Sequence, residues 1–167
     1  MKKLLCLFFT MVSIISVFSQ EMKVFYIYPQ SVILDKDVFR YIATNVIDNQ
    51  NGTVFACHRK DINPALPVIK IVLSEPIEIS SLTIKAGYFE EKYYLKNDRI
   101  KKIRVVLYDN NVNVIYNKEQ ALSDRMENQV IDFIDSIRCN EIDIFVLDVY
   151  QGTLWDDICI SEVSFSN

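Results

Sequence analysis

The sequence has little of what several common activities require. It contains 3 glycines, 4 prolines and 1 histidine among 167 residues. So few glycines leave no glycine-rich loop for nucleotide phosphates, and neither a long flexible linker nor an internal repeat is present. The histidine, His58, adjoins Cys57, and neighbouring residues of a strand point to opposite faces. We therefore expect an ordinary surface histidine rather than a Cys–His catalytic pair.

Positive charge is also in short supply. Lysine and arginine number 18 against 22 acidic residues, which gives a net charge of −4. Two of the bases, Lys2 and Lys3, lie at the very start of the chain, and without them the rest of the chain is more acidic still. An acidic surface repels nucleic acid and anionic lipid. We expect neither of them as the main partner.

The first nineteen residues have the pattern of a signal peptide. Two lysines precede the apolar run Leu4–Phe18, which is shorter than the roughly 20 residues that a membrane-spanning helix needs. Val17 and Ser19 are small enough to flank a cleavage site. We expect a secreted, periplasmic or cell-surface protein in which residues 20–167 form one domain without a transmembrane segment. An uncleaved anchor is the alternative.

Short apolar runs separated by turn signals fill the rest of the chain. No stretch after residue 68 keeps a helical period, and alternation favours strands. The predicted strands are Lys23–Tyr28, Val54–Cys57, Val68–Leu73, Ile77–Ile84, Ile103–Tyr108, Val112–Tyr116, Val130–Ile134, Ile142–Tyr150 and Ile160–Phe165. This pattern predicts an all-β protein, either a sandwich or a barrel.

One stretch combines strands with an unusually aromatic loop. The apolar runs on either side of residues 87–99 suggest the two paired strands of a hairpin, and the loop between them is rich in Tyr, Lys and Glu. Loops that are held on a rigid sheet often carry binding residues. The tip of this hairpin is therefore the leading candidate for a recognition surface.

Several motifs in this half resemble one known family. They are Gly87-Tyr88, Tyr94, Asn97–Ile103, Asp148–Thr153 and Asp156–Val163. Together they resemble the NADase-type glycan-binding domain, a discoidin-related domain of secreted bacterial proteins. The similarity covers about residues 44–165. It implies a galactose-binding-like jelly-roll β-sandwich that binds carbohydrate and is not an enzyme.

The resemblance also suggests where a glycan would bind. Sugars stack their C–H faces on aromatic rings and pair their hydroxyls with planar polar groups. In this family the loops at one end of the sandwich form the binding surface. The candidate ligand-binding residues are Tyr88, Tyr93, Tyr94, Asn97, Arg99, Trp155 and Asp156. In the alternative interpretation, Tyr94 covers the sandwich end, Asn97 and Arg99 hold the loop, and Trp155 fills the core.

A structural calcium ion is a further implication of the resemblance. Residues 45–53 are similar to the N-x-x-D-x-N-x-x-T-x-W loop of such domains, although Phe55 replaces the tryptophan. The matching calcium ligands are Asp48, Asn51, Thr53 and Glu162. Calcium requires six to eight oxygen ligands, including backbone carbonyls. An ordinary Asx turn at Asp48 is the alternative.

The cysteines leave two possibilities open. Cys57, Cys139 and Cys159 follow the leader, and an odd number leaves at least one thiol without an internal partner. If the calcium loop packs against Glu162 as the resemblance implies, a Cys57–Cys159 disulfide is expected in an oxidising compartment. Otherwise all three thiols are buried and reduced.

Two other classes of function remain as alternatives. A glycosidase needs two carboxylates about 5–5.5 or about 6.5–9.5 Å apart. The candidates are Asp156, Asp157, Glu90 and Glu91, but the adjacent Asp156 and Asp157 do not easily face one bond. A structural subunit would instead bind a protein partner through an exposed strand edge or through its N-terminal residues.

Overall fold

The computed structural model describes residues 24–33, 35–37, 39–50 and 52–167, so the predicted leader lies outside the described residues. Its strands are β1 (Val24–Pro29), β2 (Phe55–His58), β3 (Ile69–Lys85), β4 (Arg99–Tyr108), β5 (Val114–Ala121), β6 (Gln129–Tyr150), β7 (Asp157–Ile160) and β8 (Glu162–Ser166). The helical elements are the single turn α1 (Glu91–Tyr94) and the 3₁₀ helices Ala43–Ile47 and Arg59–Asp61. Within these ranges no helix is long and apolar enough to cross a bilayer.

Two antiparallel sheets pack face to face. The main sheet has the order β1-β3-β6-β4-β5, with β8 beside the second half of β3, and the small sheet pairs β2 with β7. Side chains from both sheets fill one core, in which Phe55 and Ile160 meet residues such as Ile71, Leu82 and Ile103. The predicted all-β sandwich is confirmed.

The strands β3 and β4 do not pair, so the predicted hairpin is wrong. β6 lies between them and pairs with both, joining Ile142 to Ile71 of β3 and Ile144 to Val105 of β4. The centre of β6 is apolar on both faces, which suits an interior strand. Residues 86–98 are consequently a crossover from one side of β6 to the other, and not the tip of a hairpin.

In two places, two strands that were predicted separately form one continuous strand in the structure. The runs on either side of Pro76 form β3, and its pairing register with β6 shifts between Val72 and Ile77. Proline has no N–H to donate to a sheet, so the chain passes this point as an irregularity of the strand and not as a turn. The runs Val130–Ile134 and Ile142–Tyr150 likewise join in β6.

The strand predicted to start at Val112 begins later. Val112 has a left-handed φ of 63° and belongs to a turn, and β5 starts at Val114. The carboxylate of Asp109 accepts hydrogen bonds from the backbone N–H groups of Asn111 and Asn113, each at 2.8 Å. The Asn113 side-chain Nδ2 also donates to Asp109 Oδ2 at 3.0 Å, and this bond, together with the backbone bonds, lowers the pKa of Asp109. The bonds hold the turn that displaces the start of the strand.

The predicted Cys57–Cys159 disulfide is wrong. Cys57, Cys139 and Cys159 are all free and buried. In the small sheet Cys57 lies opposite Ile158 and Cys159 opposite Ala56, so the pleat directs the two thiols to opposite faces. Burial raises the pKa of Cys57 to about 12 and that of Cys139 to about 11. The structure thus agrees with the alternative of buried, reduced thiols.

Candidate functional site

A cavity of about 350 Å³ lies against the outer face of the small sheet. The pleat that directs Phe55 and Ile160 into the core directs Ala56 and Cys159 outward, and these two residues form part of the cavity floor. Loops at this end of the sandwich build its walls. The volume falls within the ~300–1,000 Å³ range of small-molecule sites.

Four aromatic rings line the cavity, from Tyr41, Tyr88, Tyr93 and Trp155. The rings of Tyr88 and Tyr93 lie 4.8 Å apart, and those of Tyr93 and Trp155 lie 6.4 Å apart. Trp155 is 41% exposed, so it does not fill the core as the alternative interpretation required. The site therefore offers adjoining apolar faces that remain accessible to a ligand.

The α1 turn explains why only one of two neighbouring tyrosines reaches the cavity. The backbone N–H groups of Tyr93 and Tyr94 both donate to the carbonyl of Glu90, at 2.8 and 2.9 Å, and this forms the turn. Successive residues of a helical turn point in directions about 100° apart. Tyr93 lines the cavity, while Tyr94 is buried and packs edge-on against Phe89.

Arg99 holds the loops together and does not line the cavity. It donates Nε to Asp124 Oδ1 at 3.0 Å and Nη2 to Asp124 Oδ2 at 2.8 Å. Its Nη1 donates to the carbonyls of Asn97 and Gln151, at 2.9 and 3.0 Å. Tyr94 and Arg99 therefore have the structural roles of the alternative interpretation, and their predicted contact with a ligand is not supported.

Asn97 holds the loop and also borders the cavity. Its side-chain Nδ2 donates to the carbonyl of Tyr93 at 3.0 Å, which closes the turn that presents the Tyr93 ring. The same buried residue also lines the cavity. Its amide is thus fixed in place before any ligand arrives.

The loop between β6 and β7 carries Trp155 to the cavity. Three of its backbone N–H groups, those of Thr153, Leu154 and Trp155, donate to the carbonyls of Leu95 and Lys96 at 2.8–3.1 Å. The bonds tie this loop to the residues that follow α1. Trp155 and Tyr93 are consequently positioned by one shared backbone network.

One wall of the cavity comes from residues before β2, which were not among the predicted site residues. Ile33, Arg40 and Tyr41 line the cavity, because the segment that contains them runs beside β2. Its backbone bonds are Ile33 N to Ala56 O at 3.0 Å and Ala56 N to Tyr41 O at 3.3 Å. The adjacent basic and aromatic side chains of Arg40 and Tyr41 could have indicated a binding site, but the family motifs in the sequence did not extend to these residues.

Asp157 and His58 form a hydrogen-bonded pair beside the rings. His58 Nδ1 lies 2.7 Å from Asp157 Oδ1, and Asp157 lines the cavity. Burial raises the pKa of Asp157, while the histidine opposes that shift. Asp156 lies exposed next to this pair and not among the lining residues. His58 is a partly exposed surface residue, as expected, and it contacts the site through Asp157.

The proposed calcium loop lies near Glu162 as the family pattern requires. The backbone N–H of Asn49 donates to the Glu162 carboxylate, whose pKa is raised to about 7, chiefly by burial and further by Asp48. Asp48 Oδ1 accepts the backbone N–H of Gln50 at 2.9 Å, which is the Asx turn of the alternative interpretation. Thr53 Oγ1 lies 3.0 Å from Asp48 Oδ1. Asn51 lies outside the described residues.

Solved structures with this fold include several carbohydrate-binding modules. A family 32 module of the C. perfringens protein NanJ, solved with galactose, has a TM-score of 0.63 at 16% identity and covers 84% of this chain and 91% of its own. A second Clostridium perfringens module, solved with GalNAc-β-1,3-galactose, has a TM-score of 0.66 at 16% identity over 85% and 94%. The F5/8 type C domain of a Bacteroides fragilis protein has a TM-score of 0.60 at 14% identity over 84% and 89%.

These similarities confirm the predicted galactose-binding-like jelly roll. No curated protein matches the chain. The sequence pattern of the NAD glycohydrolase translocation F5/8 type C domain matches residues 23–166, and so begins earlier than the predicted limit near residue 44. The segment that supplies Arg40 and Tyr41 thus lies inside the family's domain. The chain belongs to the NAD glycohydrolase translocation F5/8 type C domain family.

Proposed function

We propose that this chain is a non-catalytic carbohydrate-binding module that an exported bacterial protein uses to attach to glycans on a surface. The observation that carries the proposal is the cavity, in which the half-buried ring of Tyr93 and the exposed ring of Trp155 adjoin the fixed amide of Asn97 and the carboxylate of Asp157. A sugar can stack on such rings and hydrogen-bond to such planar groups. The signal-peptide pattern of residues 1–19 supports export.

The ligands in the similar structures support the same class of ligand. Two of those structures are complexes with galactose and with GalNAc-β-1,3-galactose, and a third protein is described as a pectin-binding module. The chain resembles each of them over more than 80% of its length.

A glycan array followed by calorimetric titration of the best sugar tests this proposal. We expect discrete hits, and we expect Trp155→Ala to weaken binding at least tenfold, about 1.4 kcal/mol, because one stacking face is lost. Phe25→Ala is the matched control, since Phe25 is 70% exposed and does not line the cavity. Absence of sugar binding at high protein concentration, or wild-type affinity in Trp155→Ala, would contradict the proposal.

The carboxylates around the cavity favour binding over hydrolysis. Among the described residues that line it, Asp157 alone carries a carboxylate, and that group is hydrogen-bonded to His58. A glycosidase would need a second acid facing the same bond. Turnover of aryl-glycosides that is lost in Asp156→Asn would overturn the non-catalytic part of the proposal.

We also propose a calcium ion at the loop of residues 48–53. Asp48, Thr53 and Glu162 would hold it, and it would supply positive charge beside two carboxylates and join the loop to β8. In favour of this fit, Glu162 is buried and its pKa is raised to about 7, so a nearby cation would relieve the cost of its charge. Against it, Asp48 Oδ1 already accepts a hydrogen bond from the Gln50 N–H.

Thermal unfolding tests whether calcium binds at this site. We expect Ca²⁺ added after chelation to raise the midpoint by several degrees, because a ligand that binds only the folded state stabilises it. Glu162→Gln should abolish the increment, whereas Glu119→Gln, in an exposed ion pair with Lys102, should retain it. An equal increment in both variants would place the ion elsewhere.

Binding to another protein is a second candidate that one observation favours. β1 is an edge strand of the main sheet, and it carries three exposed rings, Phe25, Tyr26 and Tyr28. Exposed aromatic edges are prone to pair with another chain. Concentration-dependent association that Phe25→Ala abolishes, together with an empty glycan array, would favour this function.

A further inference from the structure

Three metal-ligating side chains lie together at one end of the small sheet. His58 of β2 and Asp157 of β7 are directly opposite each other in the ladder, and Asp156 immediately precedes β7. One ligand atom from each of the three lies within 4.8 Å of the others. The backbone holds this group in place, since Arg59 N donates to the carbonyl of Asp156 at 2.9 Å.

The charge around this cluster is negative. The nearby guanidinium of Arg59 lies 2.9 Å from Asp98, a carboxylate that is 1% exposed, so its charge is already matched. With a neutral imidazole on His58, Asp156 and Asp157 leave two negative charges at the cluster. A divalent cation would balance them, and the histidine favours a metal that accepts nitrogen ligands.

We propose that His58, Asp156 and Asp157 bind a divalent transition-metal ion, with Zn²⁺ as the best match. Zinc binds imidazole nitrogen and carboxylate oxygen at ~2.0–2.2 Å, so tetrahedral ligand atoms lie about 3.3–3.6 Å apart. The three ligand atoms lie within 4.8 Å of one another, so only small side-chain movements would be needed to hold the ion. To bind the metal through Nδ1, the neutral His58 ring carries its one proton on Nε2, so that the Nδ1 lone pair faces the ion in place of the hydrogen bond to Asp157. This cluster is separate from the calcium loop of residues 48–53.

The position of the cluster gives the ion a further role. Three protein ligands leave at least one coordination position open on zinc. Because Asp157 lines the cavity, an ion held by it would lie beside the space that contains the aromatic rings. A hydroxyl or carboxylate oxygen of a bound sugar can fill it. This role rests on the proposed glycan-binding function, whereas metal binding does not.

The imidazole NMR signals of the protein test the metal site directly, because His58 is the sole histidine. In calcium-containing buffer, Zn²⁺ should shift these signals saturably, and Mn²⁺ should broaden them. Asp156→Asn should weaken Zn²⁺ binding at least tenfold. Asp156 is exposed, so this variant is expected to fold. Asp61→Asn, which changes an exposed carboxylate three residues from His58, should bind Zn²⁺ as the wild type does.

The same experiment can overturn the proposal. It fails if Zn²⁺ leaves the His58 signals unmoved, or if Asp156→Asn binds with wild-type affinity, as a lone surface imidazole would. A glycan array repeated with and without Zn²⁺ separates the two proposals. Sugar binding that is indifferent to zinc leaves the module's function intact and removes only the role of the metal in recognising sugar.

Discussion

Replacing Arg99 with methionine should destabilise the domain by about 3 kcal/mol, a large part of the ~5–15 kcal/mol that typical domains possess. The substitution removes the two-point ion pair with Asp124 and leaves the carbonyls of Asn97 and Gln151 without their donor. Arg99 itself is 5% exposed, so water cannot readily take its place. The midpoint of urea unfolding measures the loss.

Two further variants sharpen this test. Lys101→Met removes an ion pair with Asp148 in which both side chains are about half exposed, and solvent screening makes such pairs weak, so this variant should lose far less stability than Arg99→Met. Arg99→Lys keeps the charge but cannot donate to Asp124 and two carbonyls at once, so it should recover little stability. A loss below about 1 kcal/mol in Arg99→Met would mean that the loops do not depend on this residue.

Gly152→Ala is expected to damage both stability and sugar binding. A Cβ at this position would lie 2.4 Å from the carbonyl oxygens of Lys96 and Trp155, and both of these atoms belong to the backbone. The loop that carries Trp155 must therefore move away from residues 95–97. We expect a loss of about 3 kcal/mol in unfolding free energy, together with at least tenfold weaker sugar binding.

Thr153→Ala provides the control for that prediction. It removes a side-chain hydrogen bond from Thr153 Oγ1 to the carbonyl of Leu95 but adds no atoms. Because the site is exposed, we expect a loss of only about 0.5–1 kcal/mol and nearly unchanged sugar binding. If Gly152→Ala behaved like Thr153→Ala, the close packing of the two loops would not be what positions Trp155.

The strands and the fold class could be predicted from the sequence, but the order of the strands in the sheet could not. Alternation and turn residues indicated strands correctly along most of the chain, because both signals are local. The place of β6 between β3 and β4 depends on which apolar runs meet, and local patterns do not contain that information. The prediction of two separate strands around Pro76 was wrong for a related reason, since the residues on both sides of Pro76 pair with β6 across an irregularity.

The sequence predicted the types of residue in the site, but not which individual residues would line the cavity. Tyr93 and Tyr94 are equivalent in the sequence, and the α1 turn alone decides that Tyr93 lines the cavity. In the sequence, Arg99 has the features of a ligand-binding arginine. Only the structure shows that it is paired with Asp124, which is 25 residues away in sequence. Tyr41 could not be assigned because its position depends on a hydrogen bond that its carbonyl accepts from the Ala56 N–H, a contact that no local pattern shows.

The central position of β6 also constrains how the chain can fold. β3 and β4 meet only through a strand that ends at Tyr150, so the middle of the main sheet cannot assemble until most of the polypeptide is available. Pairings between such distant segments require the closure of long loops, which makes folding slow, typically milliseconds to seconds for β-rich topologies. A nascent chain that stops short of β6 would expose the apolar faces of β3 and β4, and we expect it to depend on chaperones during that interval.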